Sequence, residues 1–139
     1  MYNLQSNYLL YVGSIEERKN LLTILKALKQ LENQYLVVIG NGNKYQKLCM
    51  EYIKNNNLIN RVCILSNLTN EDIATIYSCA EIMIYPSLFE GFGIPILEAL
   101  YSRVPVITSK NGCFHEVGGP ETKYIEPLSV EEIRDTILE

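Results

Sequence analysis

The sequence predicts an α/β fold, a parallel six-stranded sheet wound on both faces by helices, and three observations predict it. Short apolar runs rich in β-formers alternate with longer amphipathic stretches to the end of the chain. The runs are apolar on both faces, as strands covered from both sides must be. The stretches between them repeat their apolar residues at helical spacing, and right-handed crossovers of that kind lay helices on both sides of the sheet.

Tyr8 to Val12 reads as the first strand, ending at Gly13, and Leu21, Leu22, Ile24, Leu25, Leu28 and Leu31 follow at helical spacing. Tyr35 to Ile39 is the second strand, stopped by Gly40-Asn41-Gly42, a lone G-x-G that reads as the turn opening the next helix, Lys44 to Asn55. Arg61 to Leu65 is the third. Thr69, with Asp72 three residues on, has the spacing of a capping box and opens a helix running to Cys79. Ile82 to Tyr85 is the fourth strand; after Pro86 a turn over Ser87 to Gly93 leads into a helix with Pro95 in its first turn, where a missing N–H costs nothing. Pro105 to Thr108 is the fifth strand, Glu116 to Pro120 a Gly-rich turn, and Lys123 to Ile125 the sixth strand. Ser129 caps a last helix with Glu132 at its third position. No repeat, low-complexity linker or second-domain boundary interrupts this order, which is that of a Rossmann-like, doubly wound layer.

Composition sets bounds on function. With 139 residues, 47% apolar and 20% charged, the chain is of ordinary globular make-up and long enough for one real core. A formal charge of -4 argues against nucleic acid as the main partner, since phosphate backbones want a net basic face. Cysteines at 49, 63, 79 and 113 form no C-x-x-C pair and there is one histidine, so neither a zinc cage nor a redox dithiol is written; core thiols in a reducing compartment are expected. No apolar run nears the roughly 20 residues of a membrane span, and Met1 to Asn7 lacks the charged start and apolar stretch of a signal peptide. A cytoplasmic, soluble domain is the expectation.

In doubly wound sheets ligands bind beyond the carboxyl ends of the strands. At the first strand's exit, Gly13 to Asn20, Arg18 and Lys19 stand at a helix start, where cations oppose the macrodipole. Either a shared anion removes that conflict, or they are solvated cations balanced by Glu16 and Glu17. At the fourth strand's exit, Glu90-Gly91-Phe92-Gly93-Ile94-Pro95-Ile96-Leu97-Glu98 combines two glycines with a helix N-terminus, a place for a phosphate or a sugar hydroxyl. Carboxylates accept paired hydrogen bonds from a vicinal diol, so Glu90 and Glu98 read as sugar-hydroxyl acceptors at opposite ends of one ligand. Glu98 reads equally as an acid placed to favour the dipole. His115, after the fifth strand, is the only imidazole available as a general base; its other reading is a polar loop residue. Neither a P-loop nor a G-x-S-x-G elbow occurs.

Together these residues resemble the C-terminal domain of the retaining GT-B glycosyltransferases of family 4, the group 1 glycosyl transferases. The anchors are G-x-x-x-x-R-K-N at Gly13 to Asn20, Ile84-Tyr85-Pro86-Ser87, the E-x7-E element from Glu90 to Glu98, and Pro105 to Ser109 followed by Glu116-Val117. The resemblance spans nearly the whole chain and implies a nucleotide-sugar donor site. Arg18 and Lys19 would take the diphosphate, with Gly13 and Ser14 beside them, and Glu98 the ribose. Glu90 and the backbone of Phe92, Gly93 and Ile94 would take the hexose and phosphate, and the loop Ser66-Asn67-Leu68 the base. Arg18, Lys19 and Glu90 would be the catalytic group, with no metal and no cofactor beyond the donor, GDP-mannose or a UDP-sugar.

Many members carry arginine where this chain has Ser14, which leaves one phosphate contact either missing or supplied by Arg18; the Gly-Ser form followed by Arg-Lys-Asn resembles mannosyltransferases and tilts the donor towards GDP-mannose. A GT-B enzyme also needs an N-terminal acceptor-binding domain, for which 139 residues leave no room. The implied whole is therefore residues 1–139 as donor domain, its missing N-terminal partner, and a peripheral membrane association of the full-length enzyme. Two other classes stay open: a non-catalytic nucleotide or sugar-phosphate binding module, and an epimerase-type half-enzyme in which His115 would be essential.

Overall fold

A computed structural model describes residues 4–139, so Met1 to Asn3 of the segment read for a leader lie outside the described residues. Six strands, β1 (Leu9–Val12), β2 (Leu36–Ile39), β3 (Val62–Leu65), β4 (Ile82–Tyr85), β5 (Val106–Ser109) and β6 (Lys123–Ile125), form one sheet in the order β3-β2-β1-β4-β5-β6. Every pairing is parallel. The connections are α1 (Leu21–Lys29), α2 (Lys44–Asn55), α3 (Asn70–Cys79), α4 (Ile94–Tyr101), α5 (Phe114–Gly118) and α6 (Val130–Leu138), with 3-10 turns at Glu17–Lys19 and Ile59–Arg61. This is the Rossmann strand order, and its direction of winding reverses between β1 and β4, the place where such sheets open a crevice.

Alternation along the strands divides the core in two. Leu9, Tyr11, Leu36 and Val38 face α1, α2 and α6 through Ile24, Leu28, Cys49 and Ile133. Leu10, Val37, Met83 and Tyr85 face α3, α4 and α5 through Ile76, Tyr77, Ile96, Ala99 and Phe114. The predicted caps form: Thr69 Oγ1 accepts from the Asp72 N–H at 3.0 Å and Ser129 Oγ from that of Glu132 at 3.1 Å, each worth about 1 kcal/mol.

Three expectations need correction. The stretch from Glu116 is not all turn: α5 runs through it to Gly118, because Phe114 anchors the helix in the core and Gly118 lets the Tyr124 hydroxyl come within 2.7 Å of where a Cβ would stand. The first, second, third and fifth strands each begin one residue later than read, at Leu9, Leu36, Val62 and Val106; at the fifth, Pro105 accepts from the Met83 N–H at 2.9 Å but has no N–H to return. Of the four cysteines only Cys49 is a core thiol, pushed up to about 11 by burial; Cys63 and Cys113 are half-buried and Cys79 is exposed.

Gly40-Asn41-Gly42 does more than open α2. A Cβ on Gly40 would lie 1.9 Å from the Gly13 carbonyl oxygen, and one on Gly42 2.1 Å from that of Ile15. The Ile15 N–H donates to Asn41 O at 2.8 Å, and Ile15 and Gly42 form a bridge. The glycines thus let the β1 and β2 exits run backbone against backbone, which fixes where the loop bearing Arg18 and Lys19 departs. Gly42→Ala is expected to cost about 2 kcal/mol or more in urea unfolding, since backbone rather than a flexible side chain must move. Gly91→Ala, whose Cβ meets nothing within 4 Å, should stay within about 0.5 kcal/mol of the parent. Similar losses for the two would refute this account of Gly42.

Candidate functional site

The site is built where β1 and β4 release the chain side by side. After β1 the 3-10 turn presents Arg18 and Lys19, and Asn20, in the left-handed region at φ 66°, turns the chain into α1. Asn20 is buried and its side-chain amide donates to Pro86 O at 3.0 Å and Pro127 O at 2.5 Å, while its oxygen accepts from Thr23 Oγ1 at 2.6 Å. One amide thereby ties together the exits of β1, β4 and β6. The Leu88 N–H donates to Arg18 O at 2.7 Å, and Ser109 Oγ donates to Ser87 O at 2.6 Å, so the β4 exit is fastened from both neighbours.

Across this seam the side chains converge on Glu90. Its Oε2 is ion-paired with Lys19 Nζ and, at 3.0 Å, with Arg18, and Ser87 Oγ lies 2.9 Å away. Lys19 also reaches the Tyr85 hydroxyl at 3.2 Å and stands 5.4 Å from the centre of that ring. Lys19 and Glu90 side chains are each 11% exposed and Arg18 46%. The Arg18 arm is therefore worth at most about 1 kcal/mol, whereas the nearly buried Lys19–Glu90 pair cannot lose one member without stranding a charge.

Burial alone would raise the Glu90 carboxyl, but the Lys19 hydrogen bond, the Ser87 hydroxyl and the Lys19 charge outweigh it and hold the group below its ordinary value. Within the protein, the anion that pairs with both Arg18 and Lys19 is Glu90. Glu16 also balances Arg18, in a longer ion pair at 3.8 Å, while accepting from Ser14 Oγ.

Glu98 lies apart from Glu90, on the exposed side of α4. Its Oε1 accepts from the Tyr77 hydroxyl at 3.0 Å. Tyr77 and Tyr85 are buried in the same core face, and their hydroxyls emerge at Glu98 and Lys19 respectively. α4 starts from Gly93 in the left-handed region at φ 91°. Pro95 carries no N–H, and that of Ile96 is turned back onto Gly93 O at 3.0 Å, so what this end offers a ligand is the backbone from Phe92 to Ile94. Cys113 Sγ steadies the loop from beneath, 3.4 Å from Phe92 O and 3.6 Å from Glu90 O.

The other predicted positions form the margin. Gly13 sits beside the Lys19 stem, a Cβ there meeting Lys19 Cδ at 3.9 Å, and Ser14 is exposed. Ser66 and Asn67 are exposed, Asn67 with φ 58°, and Leu68 packs against the core. His115 stacks on Tyr124 at 3.7 Å and pairs with Lys110 O at 3.0 Å. Among the described residues no group of three or more His, Cys, Asp or Glu could hold a metal ion, and no helix is long and apolar enough to cross a membrane. Asn20, Tyr85 and Ser87 stood among the anchors of the resemblance without a role assigned to them, and sequence reasoning missed Tyr77 altogether. The only signal for Tyr77 was a polar tip on a residue otherwise placed to pack.

Comparison with known proteins agrees with this geometry. The family described as Glycosyl transferases group 1 matches residues 2–139. The O-antigen chain mannosyltransferase RfbU of Salmonella typhimurium is 32% identical over 124 residues, 88% of this chain and 35% of that protein. O-antigen chain mannosyltransferase B of Escherichia coli is 31% identical over 137 residues, 95% of this chain and 36% of that protein. The chain thus spans about a third of the length of these curated relatives. Among solved structures, sucrose-phosphate synthase from Thermosynechococcus elongatus superposes with a TM-score of 0.90 at 26% identity, over 98% of this chain and 37% of that one. Anabaena Alr3699/HepE in complex with UDP-glucose gives 0.78 at 26% identity, over 96% and 39%.

The lowered Glu90 carboxyl has a consequence for stability. A group whose folded value lies below its unfolded one stabilises above the unfolded value, and that gain is lost as pH falls through the folded value. The ordinary value being 4.5, the stability advantage of the parent over Glu90→Gln should be largest above about pH 5 and shrink steadily below it. Urea midpoints for both proteins down to about pH 3 check this; an advantage constant with pH would show that the ionised pair contributes nothing.

Proposed function

Since the chain belongs to the glycosyl transferases group 1 family, we propose that it is the donor-binding domain of a GT-B glycosyltransferase that moves a hexose from a nucleoside diphosphate to an acceptor hydroxyl, with retention and without a metal. The observation that carries this reading is the convergence of Arg18, Lys19 and Glu90 across the β1–β4 seam. Two cations already paired with one carboxylate at a crevice can transfer that pairing to an entering diphosphate, which frees Glu90 for the hexose hydroxyls. As the sugar–phosphate bond breaks, the charge growing on the departing diphosphate meets cations held in place beforehand, and no reorganisation is needed at that moment. The acceptor oxygen takes over the anomeric carbon from the same face, and its proton leaves with the diphosphate.

In this reading the backbone of Phe92, Gly93 and Ile94 borders the sugar and phosphate, Glu98 takes the ribose diol, and Ser66-Asn67-Leu68 borders the base. GDP-mannose is the favoured donor because the curated relatives include O-antigen chain mannosyltransferases; a UDP-sugar is the alternative, from the UDP-glucose complex of a structural relative. The product would be a polysaccharide or glycolipid made at the inner face of the membrane. An N-terminal domain would bring the acceptor, so the chain by itself should hold donor and transfer little, positioning of both reactants being a large part of the rate.

Titration calorimetry with GDP, UDP and their sugars tests the assignment. A nucleoside diphosphate should bind, and Lys19→Ala should weaken it about tenfold or more, the range for loss of a charged hydrogen bond. Glu90→Ala should lower affinity for the nucleotide sugar relative to the bare diphosphate. Equal changes for the two ligands would remove the hexose role of Glu90, and no binding by any diphosphate would remove the donor-domain reading.

A further inference from the structure

We propose that Tyr77 is a positioning residue for Glu98, holding its carboxylate in the orientation that accepts the two hydroxyls of the donor ribose; this rests on the donor-site reading above. Glu98 is exposed on α4 and by itself would sample many rotamers. Tyr77 is 2% exposed, packed from α3 into the core face shared with Tyr85, and its hydroxyl reaches Glu98 Oε1 at 3.0 Å. The Pro95 carbonyl lies at 3.3 Å, so the single phenolic proton has its shorter partner in the carboxylate.

The hydrogen bond has a fixed direction. Burial first, and then the Glu98 charge, push the phenol far above its ordinary range, so it donates throughout the range in which the carboxylate is ionised. A buried donor on a rigid ring ties Oε1 of an exposed acid and leaves Oε2 without a hydrogen-bond partner among the described residues. A vicinal diol needs two acceptors presented together in this way. A solvated glutamate would have to give up its rotational freedom at each binding event, an immobilisation worth about two- to tenfold in affinity.

The test compares a ribonucleoside diphosphate, GDP or UDP, with its 2′,3′-dideoxy analogue by titration calorimetry, on the chain and on three variants. The parent should prefer the ribonucleotide, and Glu98→Ala should abolish that preference. Tyr77→Phe should reduce the preference by about two- to tenfold while leaving affinity for the dideoxy analogue within about twofold, because the phosphate contacts are elsewhere. Tyr8→Phe is the control: it removes a buried hydroxyl from the same core face, one that donates to Ile76 O at 2.5 Å, and should leave the preference as in the parent.

A preference lost in Glu98→Ala but intact in Tyr77→Phe would overturn the positioning role alone. Equal loss in Tyr77→Phe and Tyr8→Phe would make it a general effect of core loosening, which also overturns the role. A parent that does not distinguish the two nucleotides, or whose preference survives Glu98→Ala, would overturn the ribose reading of Glu98 and this inference with it.

Discussion

The structure depends on one meeting point, the seam where β1 and β4 release their loops side by side. Strand order makes it: the chain winds outward from β1 through β2 to β3, then returns to lay β4 against the other edge of β1. Residues far apart in sequence become neighbours there without any local signal between them. The Lys19–Glu90 pair spans that seam, and Asn20 fastens the backbone beneath it to Pro86 and Pro127. These features serve one another. The amide holds the loops at a spacing that lets a nearly buried cation and anion meet, and the pair compensates charges that burial would otherwise penalise heavily.

The site is continuous with one of the two cores and not the other. Tyr77 and Tyr85 belong to the face packed by α3, α4 and α5, and their hydroxyls emerge at Glu98 and Lys19. An aromatic residue of this kind secures its ring by packing and spends its polar tip on a neighbour. The same close packing that stabilises the sheet therefore holds the hydroxyls that meet an exposed acid and a nearly buried cation. The opposite face, around α1, α2 and α6, contributes Tyr11, whose hydroxyl donates to Ser14 O at 2.7 Å and steadies the start of the β1 exit.

Much of this was legible beforehand, for reasons that can be named. Strands buried on both faces, helical spacing between them, and capping residues such as Thr69 and Ser129 are local features, and they foretold six strands and all but one helix. Glycines before helices and cations at a strand exit marked the candidate rim, because residues that local stability would not choose call for another explanation. The identity of the missing anion was not legible. Nothing near Arg18 says that its partner lies 72 residues on; only the strand order says so, and strand order follows from the packing of the whole chain. α5 was hidden for a related reason: Gly118 looks like a turn residue, yet its lack of a side chain serves the Tyr124 hydroxyl. Gly40 and Gly42 likewise answer to backbone from β1, not to their own helix.

On the donor-site reading, a carboxylate paired with both cations sets a condition on any anionic ligand. In the free protein Glu90 satisfies Lys19 and Arg18, so the entering group must offer at least as good a pairing before the carboxylate is released. A diphosphate can, because it carries more charge and more acceptor oxygens than one carboxylate. A neutral sugar cannot, and a lone hydroxyl still less. The pair would then favour ligands that bring a diphosphate and a hydroxyl-rich sugar together, the first for the cations and the second for the freed carboxylate. On the donor-site reading, selectivity for a nucleotide sugar over its parts follows from an ion pair that must be exchanged and not merely approached.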